Sequence, residues 1–94
     1  MKTSGTVVNV NNTAFTTIYT LILNTKGFIY FNSTSTSMIT YFFDYTNNSL
    51  ASLTTLAQSV SPGGTQQMTV QLSGLNIQIK TLTTSTINWF TLLF

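Results

Sequence analysis

The side chains that could carry out chemistry are few in this sequence. Asp44 is its only acidic residue, and it contains neither histidine nor cysteine. A pair of catalytic carboxylates, a thiolate or imidazole metal site and a histidine-activated nucleophile are therefore excluded. A serine activated by Lys26 or Lys80 is the one nucleophile that the composition leaves open. We expect Asp44 to hydrogen-bond nearby backbone or a lysine, and we expect a protein that is not an enzyme and binds no metal or cofactor.

Three asparagines begin N-glycosylation sequons, in which Ser or Thr follows the Asn after one intervening residue. They are Asn11, Asn32 and Asn47, and each is predicted to lie in a turn between strands. Chance matches are expected in a chain this rich in Asn, Ser and Thr, so the three sites are candidates for modification. A glycan at any of them would place that surface on the outside of a cell or particle.

The surface is expected to be polar but almost uncharged. Only 4% of the residues are charged, against about 25% in typical domains, whereas threonine occurs twenty times. Three scattered lysines and no arginine do not make the basic patch that a nucleic-acid partner requires. A neutral surface suits a subunit that is covered by its neighbours, or acid surroundings in which carboxylates would be protonated.

No targeting or membrane-spanning segment is expected. The first ten residues include one lysine but lack the apolar stretch of a signal peptide, which argues against secretion followed by processing. The sequence also lacks a run of about 18 apolar residues, the length that crosses a bilayer. We therefore expect no transmembrane segment.

The clearest structural signal lies in residues 60–82, where apolar and polar side chains alternate. The Pro-Gly-Gly at 62–64 predicts a turn, because proline fixes φ and glycine tolerates a positive φ. The Ser-Gly at 73–74 interrupts the alternation and predicts a β-hairpin with one apolar face toward a core. The apolar positions are Met68, Val70 and Leu72 before the break and Leu75, Ile77 and Ile79 after it.

Further strands are predicted wherever a short apolar or β-branched run is bounded by polar turns. These runs cover residues 6–10, 15–23, 28–32, 38–45 and 87–94. The polar residues 24–27, which include a glycine, predict a hairpin between the second and third of these runs. Residues 50–59 fit either a helix or an edge strand, and their many Ser and Thr residues favour the strand.

Seven or eight short strands without a clear helix predict an all-β protein. We expect residues 1–94 to form a single small antiparallel β-sandwich, either Ig-like or jelly-roll. Residues 1–12 belong to it as a strand or as an extended arm.

The last predicted strand, residues 87–94, is apolar on both of its faces. A small sandwich has one core, so one face of this strand should enter the core and the other should contact a neighbouring subunit. A loop of the same chain covering the second face remains an alternative. The candidate interface residues are Trp89, Phe90, Leu92, Leu93 and Phe94, together with Phe42 on the predicted strand 38–45.

Three features in chain order resemble the C-terminal Ig-like β-domain of archaeal type IV pilins and archaellins. They are an aliphatic strand ending in Asn at 18–24, an aromatic strand with an acidic residue at 39–45, and a Val-x-Pro-Gly turn followed by a strand and Ile-x-Ile-Lys-Thr at 60–81. The resemblance covers residues 18–94 and implies an Ig-like sandwich with a role on a surface or particle. The long apolar helix that begins those pilins is not present here, so the resemblance does not imply a type IV filament.

The composition also resembles that of virion proteins of archaeal viruses, which are small, β-rich and almost uncharged. We expect a structural virion subunit, in a capsid, turret, tail or decoration layer, from a hot or acidic setting. Its partners would be copies of itself and other structural subunits. The alternatives are an extracellular filament subunit joined by strand exchange and a carbohydrate-binding adhesin module that uses the aromatic residues as a sugar platform.

Overall fold

A computed structural model describes residues 3–33, 37–60 and 66–94, and all the regular structure in these ranges is β-strand. The strands are β1 (Ser4–Val10), β2 (Thr16–Thr20), β3 (Thr25–Ser33), β4 (Ser37–Asn47), β5 (Leu50–Val60), β6 (Met68–Ser73), β7 (Asn76–Thr81) and β8 (Ser85–Leu93).

The strands form two antiparallel sheets. The larger has the order β1-β8-β3-β4-β5, and the smaller has the order β2-β7-β6. This arrangement confirms the predicted small all-β sandwich with eight strands. Residues 1–12, for which a strand and an arm were both considered, contribute β1, an edge strand paired with β8.

The core lies between the two sheets and is built by residues of one parity on each strand. In the larger sheet Ile29, Phe31 and Phe43 have no solvent exposure, and in the smaller sheet Ile77 and Ile79 are equally buried. Complete burial of each such side chain contributes roughly 1.5–3 kcal/mol relative to its exposure. Opposing sheets that bury their inner residues this way fix the register of every strand, because a slip of one residue would turn the apolar set outward.

The hairpin predicted in residues 60–82 is present as β6 and β7. Ser73 pairs with Asn76, so the two-residue turn is Gly74-Leu75, one position later than predicted. Gly74 has a φ of 61°, which a two-residue hairpin turn requires at its first position and which glycine adopts without strain. The predicted turn at 62–64 lies outside the described residues.

The prediction of a hairpin between the second and third strands is wrong. β2 pairs with β7 in the smaller sheet, whereas β3 lies between β4 and β8 in the larger sheet. The backbone changes sheets in the intervening segment. The Leu21 amide donates to the Leu75 carbonyl beside the smaller sheet, and three residues later the Asn24 amide donates to the Tyr45 carbonyl of β4. Asn24 makes this reversal with a φ of 68°.

Residues 50–59 form a strand at a sheet edge, as their composition favoured, and not a helix. They belong to β5, which pairs with β4 along its whole length. The register shifts where Thr40 pairs with Ala57 and Tyr41 with Thr55, which leaves Leu56 as an unpaired, exposed extra residue. Such a bulge twists an edge strand and makes continuous pairing with another strand harder.

Candidate interaction surface

Strand β8 is apolar on both faces, and the structure assigns those faces to different environments. Ile87 and Trp89 point into the core, with Trp89 only 6% exposed. Phe90 and Leu92 point away from the core and are 49% and 58% exposed. Trp89, one of the candidate interface residues, therefore belongs to the core because its parity matches that of the inner face. Leu93 has the same inner parity, but it lies at the strand end opposite Gly27 and is partly exposed.

The neighbouring strands extend the apolar surface that Phe90 and Leu92 begin. Phe28 on β3 lies opposite both Leu92 on β8 and Phe42 on β4. Tyr30, two residues further along β3, lies opposite Phe90. Directly opposite residues in an antiparallel pair project from the same face, with their Cβ atoms about 5 Å apart. Outward-facing side chains of three adjacent strands therefore form one continuous surface.

Ring contacts hold this surface together. The ring centroids of Phe28 and Phe94 are 4.9 Å apart at an interplanar angle of 83°, and those of Tyr30 and Phe90 are 5.0 Å apart. Phe42 contacts both Phe28 and Phe94 at 6.1 Å. These separations lie in the range of favourable aromatic pairs. Tyr30 Oη donates to Met38 Sδ at 3.2 Å, which adds Met38 to the surface. We call the surface the aromatic face, defined as Phe28, Tyr30, Met38, Phe42, Phe90, Leu92 and Phe94.

The outer face of the smaller sheet has the opposite character. Gln71 Nε2 donates to Gln78 Oε1 at 2.8 Å, and Gln78 Nε2 donates to Thr17 Oγ1 at 3.1 Å. Thr20 Oγ1 donates to Asn76 Oδ1 at 2.8 Å. These bonds join all three strands of the sheet through neutral polar side chains. We call this surface the amide face, defined as Thr17, Thr20, Thr69, Gln71, Asn76 and Gln78.

Lys80 and Lys26 are the two candidate activators of a serine. Lys80 lies on the smaller sheet, where its Nζ is 4.7 Å from the ring centroid of Phe15. A cation over an aromatic ring is attracted by the electrostatic potential of that ring. Lys26 lies on the larger sheet, opposite Asp44 in the β3–β4 register. These opposite charges occupy one end of the aromatic face, next to the Phe28–Phe42 pair.

Asp44 behaves as a turn-stabilising residue, as expected. Its Oδ1 accepts hydrogen bonds from the Thr46 hydroxyl at 2.7 Å and from the Thr46 amide at 2.9 Å. These bonds, together with the positive charge of Lys26, lower the pKa of the Asp44 carboxyl below its ordinary value of 3.8.

We predict that stability changes little with pH above about 4. Because the folded pKa of Asp44 is lowered, its contribution is fully present above the unfolded pKa and is lost as the pH falls through the folded pKa. The carboxyl is solvent-accessible, so this loss should lower the melting temperature by less than about 5 °C between pH 7 and pH 2. Thermal melts of the wild type and Asp44→Asn test this, since the variant should lack that step. If the melting temperature of the wild type fell by more than about 15 °C over this range, another titrating group would govern stability.

The three sequons occupy different environments, and one differs from its prediction. Asn32 lies within β3 rather than in a turn, and its Nδ2 donates to Tyr30 Oη at 3.2 Å. The interior position of β3 in the larger sheet explains this, since strand pairing continues through Asn32 on both sides. Asn11 follows β1 in an irregular segment, and its Nδ2 donates to the Asn9 carbonyl. Asn47 is exposed at the end of β4, where its Oδ1 accepts from the amide and hydroxyl of Ser49.

Two depressions lie near β5 in the described residues, and the larger, with a volume of about 250 Å³, is lined by Gln58, Ser59, Val60 and Gln66. The other, between β4 and β5 at the margin of the aromatic face, has a volume of about 180 Å³ and is lined by Tyr30, Met38 and Ala57 among others. Ligand pockets usually measure about 300–1,000 Å³. The surface therefore favours a broad contact with another flat surface over a small-molecule cleft.

Within the described ranges, no group of three or more potential metal-ligating side chains comes together. In the same ranges, no helix has the length and apolar character that a membrane span needs. Comparison with known protein families, curated proteins and solved structures finds no match to this chain.

Proposed function

We propose that this protein is a non-enzymatic structural subunit that acts by self-assembly, in the virion of an archaeal virus. The observation that supports assembly is the aromatic face. Phe90, Leu92 and Phe94 remain 49%, 58% and 65% exposed. Completing their burial would contribute about 1 kcal/mol each, at roughly 1.5–3 kcal/mol for a fully buried side chain. An exposed apolar cluster that is continuous over three adjacent strands is typical of a contact site.

The chemistry of the remaining surface agrees with this proposal. The amide face satisfies its side chains through neutral hydrogen bonds, and only four side chains in the sequence are charged. Low charge gives little protection against association, so it suits a chain whose working state is an assembly. The virion setting is inferred from the composition, which resembles that of small β-rich virion proteins of archaeal viruses.

The proposal predicts that the purified chain associates at concentrations of tens of micromolar. Burial of the aromatic face provides the driving force, and the near absence of charge removes the opposing repulsion. Sedimentation velocity across a dilution series measures the association, and negative-stain electron microscopy of the concentrated sample shows its form. A chain that stays monomeric at every concentration, with no ordered assembly in the images, would contradict self-assembly.

A filament subunit is the second candidate, and strand β5 favours it. This eleven-residue edge strand contains no charged residue and no proline, the two devices that most often protect an edge. A neighbouring strand could extend the sheet there on either side of the bulge at Leu56. The same images separate the candidates, because edge pairing yields open fibres and a capsid-like subunit yields closed particles.

A further inference from the structure

We infer that the aromatic face is occupied by the same face of a second copy of this chain, so that two five-stranded sheets pack face to face. This inference rests on the proposed function and names the partner and the symmetry of its contact. A two-fold contact of this kind is closed, because each copy uses the same surface. It would place the two amide faces on the outside of the pair.

The size of the larger sheet fits such a contact. Its five strands lie about 4.8 Å apart and rise about 3.3 Å per residue, so a face nine residues long covers on the order of 700 Å². Specific protein interfaces bury about 800 Å² on each partner. Sheet-on-sheet packing at a separation of about 10 Å is also the arrangement that forms the core of β-sandwiches. The outer face of the whole larger sheet, with the three strands of the aromatic face at its centre, therefore approaches the size that a stable pair needs.

Among the two outer faces of this chain, the aromatic face is the better complement for itself. Contact with the amide face would remove water from the donors and acceptors that Gln71, Gln78 and Asn76 do not use within that face. Apart from the Tyr30 hydroxyl, the aromatic face offers them no hydrogen bond in return. Contact between two aromatic faces removes mainly apolar area from water and allows further edge-to-face ring pairs.

Charge does not oppose a second copy. Lys26 and Asp44 are adjacent at one end of the aromatic face, and their formal charges cancel. Two copies of the face can therefore approach without net repulsion. The position of both charges at the end of the apolar surface lets them keep contact with water, so their burial is not required.

Cysteine cross-linking tests the inference, because the sequence contains no cysteine of its own. Thr40→Cys places a thiol on the outer side of β4, opposite Tyr30 of the aromatic face. Thr69→Cys is the matched control on the outer side of β6, where Thr69 is exposed. Each variant is treated with a short bismaleimide, alone and mixed with a tagged copy of the other. Circular dichroism verifies folding, and Thr54→Cys, opposite Phe42, replaces Thr40→Cys if that variant does not fold.

The expected result is a covalent dimer of Thr40→Cys at a yield at least tenfold above that of Thr69→Cys. A cross-link found only in the mixture would overturn the face-to-face pair, because it requires the aromatic face to pack on the amide face. That outcome would leave the proposed function intact. Absence of cross-linking in a chain that still associates would likewise overturn the inference alone. Absence of both cross-linking and association would overturn the second copy as partner and contradict self-assembly.

Discussion

Replacing Trp89 by alanine is expected to lower the free energy of unfolding by about 3–5 kcal/mol, the range found for truncating a buried large aromatic side chain. The indole lies in the core, with its ring centroid 6.1 Å from that of Tyr19 on the opposite sheet. It also packs over Gly5 of β1, where a Cβ would lie 2.9 Å from the indole nitrogen. Trp89 thus connects both sheets and the edge strand. Since small domains are stable by about 5–15 kcal/mol, this loss removes a large fraction of the stability.

Urea denaturation of the variant measures this loss, and Phe90→Ala is its matched control. Phe90 is the next residue on the same strand, but it faces outward. Measured at a concentration low enough to keep the chain monomeric, the control should change the free energy of unfolding by no more than about 1 kcal/mol. Equal destabilisation by the two substitutions would mean that the assignment of inner and outer parity on β8 is wrong.

The sequence of β8 predicts two covered faces but does not distinguish them. Ile87 and Trp89 on one parity are as apolar as Phe90 and Leu92 on the other. Only the pairing of β8 between β1 and β3 assigns the parities, because Trp89 aligns with the buried Phe31 and Phe90 with the outward Tyr30. The existence of an apolar outer surface was therefore predictable, whereas its members on β3 required the tertiary register.

The segment between β2 and β3 shows where local patterns fail. Polar residues and Gly27 between two apolar runs predict a hairpin, but the strands belong to different sheets. Gly27 is not a turn residue. It lies within β3, and a Cβ there would collide with the carbonyl oxygen of Leu92 on β8. The glycine thus permits a close approach of two backbones that are 65 residues apart in the chain, and a single sequence carries no local signal for this.

The β6–β7 hairpin shows the opposite case. Its alternation, its glycine and its short turn are all local features, and they predict the hairpin and its buried face, although the turn lies one residue later than the Ser-Gly pair indicates. Met68, Ile77 and Ile79 are buried as that alternation requires. Asn32 is a second case in which the local pattern misleads. Its sequon lies in a Ser- and Thr-rich stretch that is typical of a turn, but Asn32 itself lies inside the larger sheet.

Changing Phe90 and Leu92 together to serine is expected to abolish association while leaving the fold intact. Both side chains point outward from β8 and are about half exposed, so burial of the exposed part contributes about 1 kcal/mol for each. A face-to-face pair contains both residues twice, and the expected loss is therefore about 4 kcal/mol, or roughly a thousandfold in the dissociation constant. Sedimentation equilibrium measures the association, and circular dichroism with thermal melting measures the fold.

The matched control changes Leu50 and Leu82 to serine. These leucines are 66% and 54% exposed, comparable to Phe90 and Leu92, but neither belongs to the aromatic face. If general surface hydrophobicity drove association, both double variants would weaken it to a similar degree. If the aromatic face forms the contact, the Phe90/Leu92 variant loses association, whereas the Leu50/Leu82 variant associates like the wild type. Unfolding of the Phe90/Leu92 variant would instead show that these side chains support the sandwich itself, and the outer surface would then have to be reassigned to the fold.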